Sequence, residues 1–218
     1  MRKARLILIK GEGFDWVSYQ LHAQEHLIGR MYGTIVFPDD RYLSPKHANL
    51  YYDGGQLYLR DEGSTNGVFL RLIEPVELRD GDYFLSGEQL MRFDQRTEYD
   101  ALTLPPDAMK DGTQFYGCAP SEAIQFRLTH FFRGQRQGSI FHATNPSVSL
   151  GREQCDLSFP FDRHISGRHA RVYKEGTRYF LQDVGSKNGT YYRLNSPYRL
   201  KHGDSFFVGQ QLMRVELE

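Results

Sequence analysis

One arginine, two serines, one histidine and one asparagine occur twice along this chain, in the same order and at the same spacing. Gly29-Arg30 is followed by Ser44-x-x-His47 and then by Asp61-x-Gly-Ser64-x-Asn66-Gly67. Gly151-Arg152, Ser166-x-x-His169 and Asp183-x-Gly-Ser186-x-Asn188-Gly189 repeat the set. Two chemistries use such side chains. An arginine is a permanently charged, forked donor, and with short hydroxyls and a carboxamide it can surround an anion rich in acceptor oxygens. A serine, a histidine and an aspartate can instead form a hydrolytic triad, here Ser44, His47 and Asp61 or Ser166, His169 and Asp183. A triad is defined by geometry rather than by closeness in sequence, and the chain has no Gly-x-Ser-x-Gly elbow. Two identical active sites in tandem would also be unusual. The residues point to binding and not to an enzyme.

The elements that carry these residues are themselves doubled. Shifting the chain by 122 positions lays "FPDDRYLSPKHA" from Phe37 on "FPFDRHISGRHA" from Phe159, and "LRDGDYFLSGEQLMRF" from Leu78 on "LKHGDSFFVGQQLMRV" from Leu200. Between 29–93 and 151–215 there are 29 identities in 65 positions without a gap, which implies a tandem duplication of one fold. Each copy reads as short strands punctuated by Asp-Gly, Gly-Asp and Asn-Gly turns, the pattern of an all-β sandwich. The functional residues fall at strand ends and turns, where sandwiches gather their binding loops. The expected organisation is a first domain over 1–93, a linker over 94–124 and a second domain over 125–218. The linker contains Pro105-Pro106 and several acidic residues.

Composition narrows the class. The chain has 218 residues, 39% hydrophobic and 25% charged, enough to bury a core. No apolar stretch reaches the roughly 18 to 20 residues that cross a bilayer. Cys118 and Cys155 form no CxxC, so neither a disulfide framework nor a metal site is indicated, and no cofactor is implied. The expectation is a cytoplasmic protein without membrane insertion. Net charge is zero, but residues 125–218 carry 14 basic and 8 acidic side chains, against 2 and 6 in 94–124. The excess favours anion binding by the second copy and docking of the acidic segment beside it. There is no sustained basic run or recognition-helix pattern, so nucleic acid is not an expected partner.

At the four repeated elements the chain resembles the forkhead-associated (FHA) domain, a phosphothreonine-peptide reader, and it does so twice. The resemblance implies two tandem eleven-stranded β-sandwiches, each holding a phosphopeptide in loops at one end. By the family pattern the ligand is met by Arg30, Ser44, Thr65 and Asn66 in the first copy and by Arg152, Ser166, Lys187 and Asn188 in the second. Gly29, His47 and Gly67, with Gly151, His169 and Gly189, brace those loops. A phosphate carries about −1.5 to −2 charges and three acceptor oxygens, which suits this donor set. One departure stands in both copies. The residue after the serine, commonly a donor in this family, is Pro45 or Gly167, and Lys46 and Arg168 are auxiliary candidates in its place. Lys187 marks the second site as the tighter.

The implied function is a non-enzymatic adaptor in Ser/Thr-kinase signalling. Its partners would be phosphothreonine-containing proteins, such as a kinase or a kinase substrate. The missing donor keeps open a phosphate-independent scaffold, for instance in a secretion or envelope-associated assembly. Thr97, followed at plus three by Asp100, offers a candidate for self-association through the linker.

Overall fold

The structure is a computed structural model, and it describes residues 4–9, 17–95, 111–113 and 124–217. The linker candidates Thr97 and Asp100, most of 94–124, and Cys118 lie outside the described residues. The first copy contains β1 (Ala4–Ile9), β2 (Val17–Leu21), β3 (Glu25–Gly29), β4 (Ile35–Val36) and β5 (Ala48–Asp53). It continues with β6 (Gln56–Asp61), β7 (Val68–Arg71), β8 (Val76–Leu78), β9 (Tyr83–Ser86) and β10 (Gln89–Asp94). The second begins with β11 (Phe126–Phe132), β12 (Arg136–Ala143), β13 (Ser147–Gly151), β14 (Leu157–Ser158) and β15 (Ala170–Glu175). It ends with β16 (Arg178–Asp183), β17 (Thr190–Arg193), β18 (Tyr198–Arg199), β19 (Ser205–Val208) and β20 (Gln211–Leu217). A 3₁₀ turn at Arg133–Gln135 is the only helical segment among the described residues. The chain is all-β.

These strands assemble into two compact units that do not coincide with the two sequence copies. Residues up to Ile73 join those from Gly189 onward in one unit, and Glu74–Asn188 form the other. Each unit therefore takes the opening strands of one copy and the closing strands of the other. The expected domain boundaries 1–93 and 125–218 follow the two sequence copies, whereas one compact unit joins β1–β7 to β17–β20 and the other joins β8–β10 to β11–β16.

The first unit has eleven strands, seven from the first copy and four from the second. One sheet runs β17-β7-β19-β20-β1-β2 and the other β18-β6-β5-β3-β4. Strict alternation in β1 buries Ala4, Leu6 and Leu8 while Arg5, Ile7 and Ile9 are half-buried. Its antiparallel pairing with β20 sets Leu6 opposite Val215 and Leu8 opposite Met213, all in one core with Ile28, Leu50, Leu59 and Phe206. Full burial of such a side chain stabilises by about 1.5 to 3 kcal/mol, so the second copy's strands are integral to this core.

In the second unit, β12-β11-β10-β9 form one sheet segment and β14-β13-β15-β16-β8 the other. Phe93, Phe126 and Tyr179, from β10, β11 and β16, make a buried aromatic cluster with ring centroids 5.1 to 5.6 Å apart. Here the first copy's β10 completes a core begun by the second copy. In both units the β3–β4 and β13–β14 connections, the segments before β5 and β15, and the turns after β6 and β16 carry the repeated residues.

Candidate functional site

In the first unit, three loops converge on the segment 42–45. The amide of Arg30 donates to the carbonyl of Ser44 at 3.0 Å, and the Arg30 Nε donates to the Leu43 carbonyl at 3.2 Å. That tether fixes the stem of the side chain and leaves the guanidinium fork at its end. The Ser44 hydroxyl accepts the Thr65 amide at 3.0 Å. The Asn66 carboxamide donates to the Tyr42 carbonyl at 2.7 Å. Thr65 and Asn66 are exposed, and Ser44 and Arg30 are half-buried, so the cluster opens to solvent. The structure brings these four residues together. Lys46 is exposed.

The turn that presents Thr65 and Asn66 is built locally. Asp61 accepts the Ser64 amide at 2.7 Å and its hydroxyl at 3.1 Å, and the Ser64 hydroxyl accepts the Gly67 amide at 2.9 Å. Gly67 sits at φ 85°, a left-handed conformation that suits glycine. Ser64 is therefore occupied in shaping the turn.

His47 ties the turn to the serine loop. Its Nδ1 accepts the Ser44 amide at 3.0 Å, so the Nε2–H donates to the Gly67 carbonyl at 2.9 Å. Both ring nitrogens are spent on backbone groups, and Asp61 is engaged with Ser64. Ser44, His47 and Asp61 thus form no proton relay. Burial lowers the His47 pKa from its ordinary value; the Gly67 carbonyl, Asp61 and Asp40 pull it partly back, while Arg193 adds to the lowering. The unfolded chain protonates this ring below about pH 6.5 and the folded one only at lower pH. Stability is consequently full above that value and falls as pH drops towards the folded pKa. His26 and His130, also lowered first by burial, contribute in the same direction. Urea unfolding from about pH 7.5 to about pH 5 should show a shallower loss of stability in His47→Gln than in the unaltered protein. An equal slope would remove His47 from this account.

The second unit repeats the arrangement with different side chains. The Arg152 amide donates to the Ser166 carbonyl at 2.9 Å, and the Ser166 amide donates to His169 Nδ1 at 3.0 Å. The Lys187 amide donates to the Ser166 hydroxyl at 3.0 Å, and the Asn188 carboxamide to the His164 carbonyl at 2.8 Å. Asp183 caps Ser186 as Asp61 caps Ser64. Arg152, Lys187 and Asn188 are exposed. Arg168 lines a separate groove with Ser147, Ser149, Asp156, Arg171 and Gln182. Near Gly167 the Glu153 carboxylate lies 3.6 Å from where a Cβ would stand.

Two residues were not singled out from the sequence. Asp40 and Asp162 are 5% exposed and cap the loops ahead of each serine, accepting the Tyr42 amide at 2.9 Å and the His164 amide at 2.8 Å. Their identity across the 122-residue shift was the available signal.

A doubled β-sandwich with an arginine, a serine and an asparagine gathered at each loop end defines a narrow class. The FHA domain model matches residues 26–87 and again 148–209, and the chain belongs to that family. Among named relatives, the glycogen accumulation regulator GarA of Mycolicibacterium smegmatis is 42% identical over 80 residues, covering 36% of this chain and 51% of its own. The oxoglutarate dehydrogenase inhibitor of Corynebacterium jeikeium is 36% identical over 81 residues, covering 36% and 56%. The chain thus spans about half the length of the curated relatives it matches. A solved structure from a structural and functional analysis of phosphothreonine-dependent FHA domain interactions covers 99% of this chain and 97% of its own, at 12% identity and a TM-score of 0.37.

Proposed function

We propose that the chain is a non-enzymatic adaptor that reads phosphothreonine peptides through two sites. Arg30, Ser44, Thr65 and Asn66 would hold one phosphopeptide, and Arg152, Ser166, Lys187 and Asn188 another. The observation that carries this reading is the convergence, in each unit, of an arginine, a serine hydroxyl and an exposed Asn-Gly turn on one short segment. A forked cation and short donors around one opening suit a doubly charged tetrahedral anion, and FHA domains count among modules that recognise phosphorylated motifs. The names of the relatives, a regulator and an inhibitor, favour control of other proteins over catalysis. The partners are then phosphorylated proteins, such as a Ser/Thr kinase or its substrate. A cytoplasmic location follows from that role, and among the described residues no helix is long and apolar enough to cross a membrane.

Pro45 and Gly167, which offer no side-chain donor beside either serine, support one other reading: a scaffold that binds unphosphorylated protein on the same loops. Calorimetric titration with a degenerate phosphothreonine peptide pool and its unphosphorylated twin separates the two. Heat of binding with the phosphorylated pool alone is the expected result. Equal heats with both pools would leave the scaffold.

A further inference from the structure

The closing hairpin that each unit borrows from the other copy ends on the loop that carries its serine. In the first unit, Asp40 Oδ2 accepts the Gln210 amide at 2.8 Å and the Gln211 carboxamide at 2.8 Å. The other oxygen of Asp40 accepts the Tyr42 amide at 2.9 Å, and the Tyr42 carbonyl is where Asn66 docks. Ser44 follows two residues later. The path from hairpin to ligand-facing groups is thus three hydrogen bonds and one short loop.

The second unit has the same path in mirror ownership. Asp162 Oδ2 accepts the Glu88 amide at 2.8 Å and the Gln89 carboxamide at 2.7 Å, while Oδ1 accepts the His164 amide at 2.8 Å. The His164 carbonyl receives Asn188. Burial pushes the Asp162 pKa up, but Gln89, Glu88, His164 and Ile165 outweigh it, so the group stays an anion with a lowered pKa. The seats are tight. A Cβ on Gly209 would lie 2.7 Å from Asp40 Oδ2 and 2.8 Å from the Leu43 side chain, and one on Gly87 would lie 2.7 Å from Asp162 Oδ2 and 2.8 Å from that of Ile165.

We propose that each phosphopeptide site is positioned by the closing hairpin of the other sequence copy, with Gln210-Gln211 setting the first site through Asp40 and Glu88-Gln89 setting the second through Asp162. Neither copy then holds a complete site by itself. The inference rests on the phosphothreonine reading above and adds to it a positioning role for four residues remote from the ligand. A hydrogen bond to a buried carboxylate is among the stronger ones, so its loss loosens the loop it fixes.

The test uses the full chain. In an Arg152→Ala background only the first site reads a phosphothreonine peptide, and in an Arg30→Ala background only the second. Gln211→Ala should raise Kd about tenfold at the first site and much less at the second, while Gln89→Ala should do the reverse, the size of one lost bond to a charged group. Overall stabilisation by either glutamine would weaken both sites alike, so the crossing is the diagnostic. A ligand-free arm checks the exchange itself. With Cys118 and Cys155 replaced by serine, Arg5→Cys/Glu216→Cys should cross-link in the monomer, because Arg5 and Glu216 are register partners in β1 and β20. Arg5→Cys/Asp94→Cys, the pair a copy-by-copy fold would bring together, should not. An uncrossed Kd pattern, or a 5–94 link, would overturn the inference while leaving the reader intact. Failure of the unaltered chain to bind any phosphothreonine peptide would overturn the reader and this inference with it, whatever the cross-link shows.

Discussion

Arg30→Ala and Arg152→Ala together should abolish measurable binding of a phosphothreonine peptide, and each alone should remove one of two sites. Arg30 reaches its place through two anchors, the amide on Ser44 and the Nε on Leu43, so its terminal nitrogens are presented with little remaining freedom. Hydrogen bonds to charged groups contribute about 1.5 to 3 kcal/mol each, and a bidentate contact involves two of them. Losing both corresponds to roughly a hundredfold or more in affinity. Arg30→Lys should recover little, since an ammonium lacks the fork and cannot donate to Leu43 in the same geometry. Arg152 has no equivalent side-chain anchor among the described residues and must order on binding. That ordering cost opposes the extra cation Lys187 brings to the second site. Isothermal titration of the two single variants ranks the sites, and a double variant that still binds the phosphorylated peptide and not its unphosphorylated twin would place the phosphate elsewhere.

Much of this architecture is legible in the sequence. The short apolar run "ARLILI" and the pair of strands in "ANLYYDGGQLYLRD" are forecast by their residue types, and Asp-Gly and Asn-Gly mark the turns between strands. The candidate site residues were visible because four short elements recur in the same order in both copies. The exchange of hairpins was not visible, and duplication is the reason. Phe84 and Phe206, Met91 and Met213, Gln89 and Gln211 occupy equivalent places, so the pattern says which face each side chain presents and not which copy's sheet it joins. Asp40 and Asp162 escaped for a related cause. An aspartate beside an arginine in a polar loop reads as solvated, and in the fold a hairpin from the other copy seats on it.

The same interlocking predicts that a single methyl at either Gly-Arg junction is costly. A Cβ on Gly29 would overlap the Pro45 carbonyl oxygen outright and stand 2.8 Å from the Tyr32 carbonyl. The Pro45 carbonyl cannot simply retreat, because it accepts the amides of Met31 at 3.3 Å and Tyr32 at 3.1 Å. Gly151 faces the Gly167 carbonyl in the same way, with Cys155 Sγ at 2.8 Å. Neither glycine has a left-handed φ, so alanine carries no backbone penalty and would gain slightly from a stiffer unfolded chain. The cost is therefore steric, about 1 to 3 kcal/mol for overpacking, with about 0.5 to 1.5 kcal/mol for each loop bond that gives way. Gly29→Ala or Gly151→Ala should lower stability in urea by a few kcal/mol in total. Each should also weaken its own unit's phosphopeptide site under conditions where the protein is still folded, since Arg30 with Ser44, and Arg152 with Ser166, are joined across that junction. Gly54→Ala is the control: its φ of 53° is left-handed but its Cβ would meet nothing within 4 Å, so it should cost stability and leave binding alone. Gly29→Ala with unaltered Kd and unaltered urea midpoint would mean that the 30–33 and 44–47 loops are free to part, and the rigid donor cradle argued for the first site would have to be abandoned.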